Sequence, residues 1–268
     1  MTTTTFTEIS ARYEKDSIIQ KSAAERLLSL LDIQRWEAVL DLGCGTGSLT
    51  RRIRSLTDAL VTGVDPSPGM IEAAQNVPDV TDITYIRARA EDLAFSGTFD
   101  VIFCNSSFQW FEQPDQALAA SFAALRSGGR IGIQAPARRD YCPNFLRAID
   151  AVAADPRTAE IFSRFTPRWL FLESAEEYRR LFERTGLRVP FATIEEQVTP
   201  YTSDQVITIF ESGAAAGYLD RELYLGGYDD DYPPLFREIV AASLRNETNQ
   251  DGLVPLVFNR VYLIAVKP

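Results

Sequence analysis

The sequence predicts an α/β fold with a mostly parallel sheet, and three observations carry that prediction. Short apolar runs alternate with helical stretches over the first half of the chain, a rhythm that lays strands side by side in parallel with helices on both faces. The first run, Val39-Leu40-Asp41-Leu42, contains an acid and turns through three glycines spaced two apart, Gly43, Gly45 and Gly47. The second, Val61-Thr62-Gly63-Val64-Asp65, ends on another acid. Buried parallel strands read as such continuous apolar runs, and glycines at their carboxyl ends bring bare backbone against a ligand.

Each element follows from local pattern. Ser17 to Leu31 places Ile19, Ala23, Leu27 and Leu30 on one helical face behind Asp16 as a cap. Val39 to Leu42 is the first strand, Ser48 to Ser55 the helix after the glycine turn, and Val61 to Asp65 the second strand. Pro68 to Gln75 is a helix with proline at its start, Ile83 to Ile86 a third strand and Phe99 to Cys104 a fourth. Pro114 to Leu125 is the next helix, with Ser127-Gly128-Gly129 as its stop, followed by a fifth strand over Arg130 to Gln134. Tyr141 to Phe165 reads as helical with a break at Pro156, Ser174 to Thr185 as a helix closed by Gly186, and Phe191 to Val198 as a strand. Helix and loop then lead to a last alternating strand over Phe258 to Lys267.

The glycine turn favours a particular ligand chemistry. Its free N–H groups and the helix behind it suit a polar or anionic group. The dinucleotide fingerprint G-x-G-x-x-G would need glycine at Ser48, and a phosphate-cradling Walker loop would need a lysine that is absent. Asp41 would repel a pyrophosphate but attract an amino group or a sulfonium. Asp65, at the end of the second strand, is placed to accept both hydroxyls of a ribose. Together these residues suit a nucleoside that carries an amino acid.

At these residues the chain resembles the class I S-adenosylmethionine-dependent methyltransferases, over most of its length. The resemblance implies a Rossmann-like seven-stranded, mostly parallel sheet with an antiparallel last strand and helices on both faces. It also implies one methyltransferase domain over residues 1–268, with Pro200 to Gly252 as a helical cap inserted within it. S-adenosylmethionine would be the cofactor and S-adenosylhomocysteine its product, without a metal. Gly43, Cys44, Gly45 and Gly47 match the family's methionine-binding loop, Asp41 the acid beside it, and Asp65 the ribose acid. Pro66, Ser67 and Met70 follow where such enzymes flank the adenine, and Ala90 and Glu91 fall at its far side. Many relatives carry an Asp where Arg89 stands; Arg89 offers no acceptor, so Glu91 or Asp92 would have to compensate.

Asn105-Ser106-Ser107-Phe108-Gln109-Trp110 is similar to a stretch of trans-aconitate methyltransferases and malonyl-acyl-carrier-protein methyltransferases, both of which esterify a carboxylate. It implies Asn105, Ser106 and Trp110 against the cofactor and Trp110 and Gln109 as candidate catalytic residues, to which Tyr13 of the opening segment is added. Phe108, Trp110 and Phe111 also read as plain core. Phe6 to Leu31 looks more like the carrier-protein enzymes, and Ser203 to Val266 more like the aconitate enzymes.

Charge narrows the partners. A formal net charge of −10 argues against nucleic acid, whose backbone demands a basic surface. An acidic carrier protein would need a basic dock, and no basic cluster is evident, which favours a free small acid. Such an acid would be held by a cationic clamp, with Arg138, Arg139 and Arg168 and the hydroxyls of Tyr13 and Tyr141 as candidates. The chain has no histidine, which fits an acceptor already ionised at neutral pH, since a carboxylate needs no general base. The expected function is therefore O-methylation of a carboxylate on a small molecule by in-line displacement. Alternatives are a methyltransferase of another acceptor class, acting at carbon, nitrogen, a hydroxyl or a lipid, a non-catalytic binder of the cofactor, and, weakest, a nicotinamide oxidoreductase. No apolar run reaches the ~20 residues of a membrane span and Met1 to Thr5 lacks the features of a signal peptide, so a cytoplasmic protein is expected. Cys44, Cys104 and Cys142 form no C-x-x-C pair and read as small buried residues in a reducing compartment.

Overall fold

The computed structural model describes residues 18–77 and 82–268, with side chains from residue 23 onward. β1 (Val39–Leu42) is buried at every position, because it has a strand on each side and helices on both faces. β2 (Val61–Asp65) pairs with it in parallel, and β3 (Ile83–Arg87) lies beyond β2. On its other side come β4 (Phe99–Asn105) and β5 (Leu125–Pro136), also parallel. β6 (Arg188–Tyr201) forms the far edge, and β7 (Val254–Val266) inserts between β5 and β6, antiparallel to both. Among the described residues the sheet thus has seven strands in the order β3-β2-β1-β4-β5-β7-β6, with the antiparallel last strand that the resemblance implies. The order reverses between β1 and β4, where the carboxyl ends of parallel strands leave a crevice.

Helices cover both faces. α1 (Ile18–Leu31) and α2 (Ser48–Arg54) bury Leu27, Leu31 and Ile53 against Val39, Val61, Val101 and Phe103. α3 (Pro68–Gln75) starts on a Ser67 cap whose hydroxyl accepts from the Met70 N–H at 3.3 Å. α4 (Pro114–Ala124) lies on the opposite face. α5 (Pro143–Ala154) and α6 (Ala159–Phe162) then leave the sheet, and α7 (Ala175–Glu183) returns to pack Tyr178 and Phe182 beside Leu118. α8 (Ser203–Ser212), α9 (Ala214–Tyr218) and α10 (Tyr232–Asn246) join α5 in a separate apolar cluster that includes Phe145, Phe210, Phe236 and the outer residues Val254, Leu256 and Phe258 of β7.

Several boundaries differ from the sequence expectation, each for a tertiary reason. Ser127-Gly128-Gly129 lies inside β5 instead of ending a helix: the Gly128 N–H donates to the Lys267 carbonyl, and the Lys267 N–H to that of Gly129. β6 and β7 run on to a Tyr201–Val254 pair, well past the end of β5 at Pro136. The sequence pattern ends β6 at Val198 and begins β7 at Phe258, because the extension carries prolines, Pro200 and Pro255, that face each other across the pair. The helical layer also draws on α5, so its apolar cluster is not confined to residues 200–252. Cys44, Cys104 and Cys142 are buried free thiols. No described helix is long and apolar enough to cross a membrane.

Candidate functional site

The glycine turn after β1 closes one side of a cavity at the carboxyl ends of β1, β2, β4 and β5. Gly43, Gly45 and Gly47 all have positive φ, +82°, +54° and +77°, a region that costs other residues energy. At Gly43 there is a second constraint, since a Cβ would overlap Cβ and Oγ of Ser107. The N–H groups of Gly43 and Cys44 both donate to the Val64 carbonyl, at 2.8 and 3.0 Å, which ties the turn to β2.

Asp65 joins this turn to the next. Its Oδ2 accepts from the Gly45 N–H at 3.0 Å and its Oδ1 from the Ser67 N–H at 2.9 Å. Each oxygen keeps a further lone pair, and the residue lines the cavity. Burial pushes its carboxyl up to about 6 against the pull of those two N–H groups. Asp41 sits behind the turn, only 2% exposed. It accepts the Thr50 hydroxyl at 2.6 Å, and burial raises its carboxyl to about 7, opposed by that bond and reinforced by Asp65.

A carboxyl lifted from 3.8 to about 7 stabilises the folded chain at low pH and loses that contribution as the pH rises through the folded value. Ionised Asp41 is therefore a destabilising group in the free protein at pH 8. Asp41→Asn, which keeps an acceptor for Thr50, is expected to raise Tm by several degrees at pH 8. The gain should shrink toward pH 4, and binding of a cationic ligand should weaken. Thermal unfolding across this pH range checks it, and a lower Tm at pH 8 would contradict the electrostatic reading of Asp41.

The structure brings most of the expected cofactor residues together. Gly43, Gly45, Asp65, Pro66, Ser67, Met70, Ala90, Glu91, Asn105, Ser106 and Trp110 line one cavity. Asp41, Cys44 and Gly47, expected beside the cofactor as well, stand behind this lining. Asp41 faces Thr50, Cys44 is buried with its thiol toward the Gly45 carbonyl, and the space beside Gly47 is filled by the Tyr85 ring. Glu91 lines the rim but is already engaged. Its Oε1 accepts from the N–H groups of Glu112 and Gln113, at 3.0 and 3.1 Å. Arg89 bridges Glu112 at 2.8 Å and approaches Glu91 at 3.5 Å, so this edge is an ion-paired rim.

The other half of the cavity is an aromatic chamber. Trp110 meets Trp169 edge-on with centroids 5.8 Å apart, and Trp169 meets Tyr218 at 5.0 Å. Tyr141 stacks on Phe171 at 4.8 Å. Gly217 leaves room for the two indoles, which a Cβ there would strike. Where the chamber meets the cofactor side, Ser106 holds a left-handed φ of 55°. Its N–H donates to the Gln134 carbonyl at 2.7 Å and its hydroxyl to Gln134 Oε1 at 2.9 Å. Gln109 Nε2 donates to the Ser106 carbonyl at 2.9 Å. This leaves Gln109 Oε1 and Asn105 Oδ1 buried on the cavity wall without a hydrogen-bond partner.

The expected clamp fares less well. Tyr141 lines the chamber, but Arg138, Arg139 and Arg168 do not. The Arg139 side chain is 95% exposed and lies 3.6 Å from Glu173, and Arg168 is exposed. Consecutive arginines after a strand lie on its outer loop, and local spelling carries no information about which way that loop faces. Tyr13 lies outside the described residues. The cation that does line the chamber is Arg260 of β7, 4% exposed, which sequence reasoning missed. Its one signal was a polar Asn259-Arg260 pair inside an otherwise apolar strand.

Comparison with known proteins agrees with this geometry. Residues 39–129 match a family model described as a methyltransferase domain. A malonyl-[acyl-carrier protein] O-methyltransferase of Halalkalibacterium halodurans is 33% identical over 138 residues, 47% of this chain and 51% of that protein. A trans-aconitate 2-methyltransferase of Deinococcus radiodurans is 30% identical over 138 residues, 50% of this chain and 52% of that protein. The chain thus spans about half the length of these curated relatives. Among solved structures, the YcgJ protein of Bacillus subtilis superposes with a TM-score of 0.61 at 18% identity, over 92% of this chain and 98% of that one; at that identity the likeness speaks for the fold. The segment that matches as a methyltransferase domain, residues 39–129, holds the glycine turn, Asp65 and the Asn105–Trp110 wall, the same features that make this part of the chain similar to those methyltransferases.

Proposed function

We propose that the protein transfers the methyl group of S-adenosylmethionine to a carboxylate of a small-molecule acid. The observation that carries this reading is the single cavity in which an Asp65-anchored glycine turn faces an aromatic chamber across Asn105, Ser106 and Gln109. Two relatives support the acceptor class, one named for a malonyl-carrier O-methyltransferase activity and one for trans-aconitate.

The residues present fit the cofactor. Gly43 and Gly45 would hold its amino-acid part against bare backbone, and Asp65 its ribose hydroxyls through the remaining lone pairs. Met70 and Ala90 would offer apolar surface to the base. The orphaned carbonyl oxygens of Asn105 and Gln109 suit a cationic centre, and leaving them unpaired would cost roughly 1–3 kcal/mol each. When bound, the cofactor supplies a methyl group whose S–C bond breaks, with its electron pair staying on sulfur, as a carboxylate oxygen forms the O–C bond, and no proton moves. The chain's share of catalysis is alignment and exclusion of water. Ser106, fixed to Gln134 at two points, positions the wall, and well-oriented reactants gain roughly 7–11 kcal/mol of barrier. The helical layer of α5 and α8–α10 is the cap that keeps the chamber dry.

Calorimetric titration with S-adenosylmethionine, S-adenosylhomocysteine and NADH, followed by an S-adenosylhomocysteine release assay over a panel of carboxylic acids, tests this reading. Binding of both adenosyl ligands, no heat with NADH and acid-dependent turnover are expected. Turnover only on amines or alcohols would move the acceptor class, and binding of NADH alone would overturn the site.

A further inference from the structure

Arg260 is a buried cation without an anion. Only 4% of it is exposed, and its Nε has no hydrogen-bond partner. Its cross-strand neighbour Glu195 pairs with Arg26 instead, at 2.8 Å, and among the described residues no carboxylate pairs with Arg260. The groups around it are neutral: the phenols of Tyr201 and Tyr262, the Cys142 thiol, and the Phe258 ring 4.5 Å beneath the guanidinium. Burial accordingly depresses the pKa of Arg260 and pushes the Cys142 thiol up to about 12. A cation–π contact recovers only part of the hydration that a buried guanidinium loses. The missing counter-charge must arrive with a ligand for the arrangement to be favourable.

Resting on the methyltransferase reading above, we infer that Arg260 clamps the substrate's carboxylate, and that the substrate is a monocarboxylic acid with an apolar, ring-sized body. Sheet register puts the clamp beside the reacting end. Arg260 is opposite Pro136 on β5, two residues past Gln134, and Gln134 pairs with Asn105 and holds Ser106. The same chamber wall carries two hydroxyls, those of Tyr141 and Tyr218, 3.4 Å apart. One unpaired cation matches one carboxylate. The other cavity arginine, Arg89, belongs to the opposite rim and is already paired with Glu112. A di- or tricarboxylate would set further charges against Trp110, Trp169 and Phe171 with nothing to neutralise them. The shape of the site thus favours an aryl or comparable apolar acid over the polyacid that one relative's name suggests.

The test uses the full chain, wild type, Arg260→Met and Arg260→Lys, with S-adenosylhomocysteine bound. Tryptophan fluorescence and thermal shift report binding of phenylacetate and trans-cinnamate against trans-aconitate and tricarballylate, and ester formation is measured separately with S-adenosylmethionine. Wild type should bind the aromatic monoacids most tightly. Arg260→Met should lose about 100-fold or more of that affinity, Arg260→Lys should be intermediate, and both should keep cofactor affinity within about twofold. Because a buried unpaired charge is removed, the free Arg260→Met protein should melt no lower than wild type. Monoacid affinity in Arg260→Met within threefold of wild type, a fall in its Tm without loss of acid binding, or no acid binding by wild type would overturn the clamp. Tighter binding of polyacids would overturn the substrate class. Arg260-dependent acid binding without any ester would leave the clamp standing and refute carboxylate methylation instead.

Discussion

Asp65→Ala is expected to weaken S-adenosylmethionine binding by about 10–150-fold, the loss that charge-assisted hydrogen bonds worth roughly 1.5–3 kcal/mol imply. Two effects add. The ribose loses its acceptors, and the N–H groups of Gly45 and Ser67 lose the carboxylate that fixes both loops around the cofactor. Hydroxyl donors favour the ionised carboxylate, and burial raises the Asp65 carboxyl to about 6 in the free protein. Wild-type affinity should therefore fall as the pH drops below about 6, and Asp65→Asn should flatten that part of the profile. Calorimetry between pH 5 and 8 measures both. Wild-type affinity in the alanine variant would remove Asp65 from the site.

Gly43→Ala should be at least as damaging, with about a 30-fold or greater loss of cofactor affinity. A non-glycine residue at φ +82° carries roughly 1–3 kcal/mol of backbone strain, and the new methyl overlaps Ser107 Cβ and Oγ. Ser107 cannot simply turn away, since its hydroxyl donates to the Leu42 carbonyl at 2.9 Å. The two costs separate in a double variant. Ser107→Gly opens the space but leaves the strain, so Gly43→Ala/Ser107→Gly should recover part of the affinity and not all of it. Full recovery would mean that φ at Gly43 is unimportant, and no recovery would mean that Ser107 is not what the methyl meets.

Legibility in the sequence followed the range of the interactions. The strands β1 to β4 and the glycine turn are written in consecutive residues, where period and glycine spacing have a direct physical meaning, so Gly43 and Asp65 could be found by reading. Asp41, Cys44 and Gly47 show the limit: spelling places them in the turn but does not say which side of it they face, and all three support it from behind. The substrate chamber was harder. Arg138 and Arg139 looked like a clamp because they follow β5 closely, whereas the buried cation comes from β7, brought alongside β5 only by antiparallel pairing across more than a hundred residues. A lone arginine in an apolar strand becomes meaningful once its neighbours are known to be uncharged. The share of α5 in the helical layer was hidden likewise, because its partners in α8 and α10 lie far along the chain.

The most direct test of the central claim is to supply S-adenosylmethionine labelled with carbon-13 in its methyl group, together with trans-cinnamate or phenylacetate, and to record the product by NMR. Transfer to a carboxylate predicts a labelled methyl-ester resonance that requires the protein and disappears in Asp65→Ala at low cofactor concentration. Label on a carbon, a nitrogen or a hydroxyl of any acceptor, or none at all from a preparation that binds the cofactor, would contradict it.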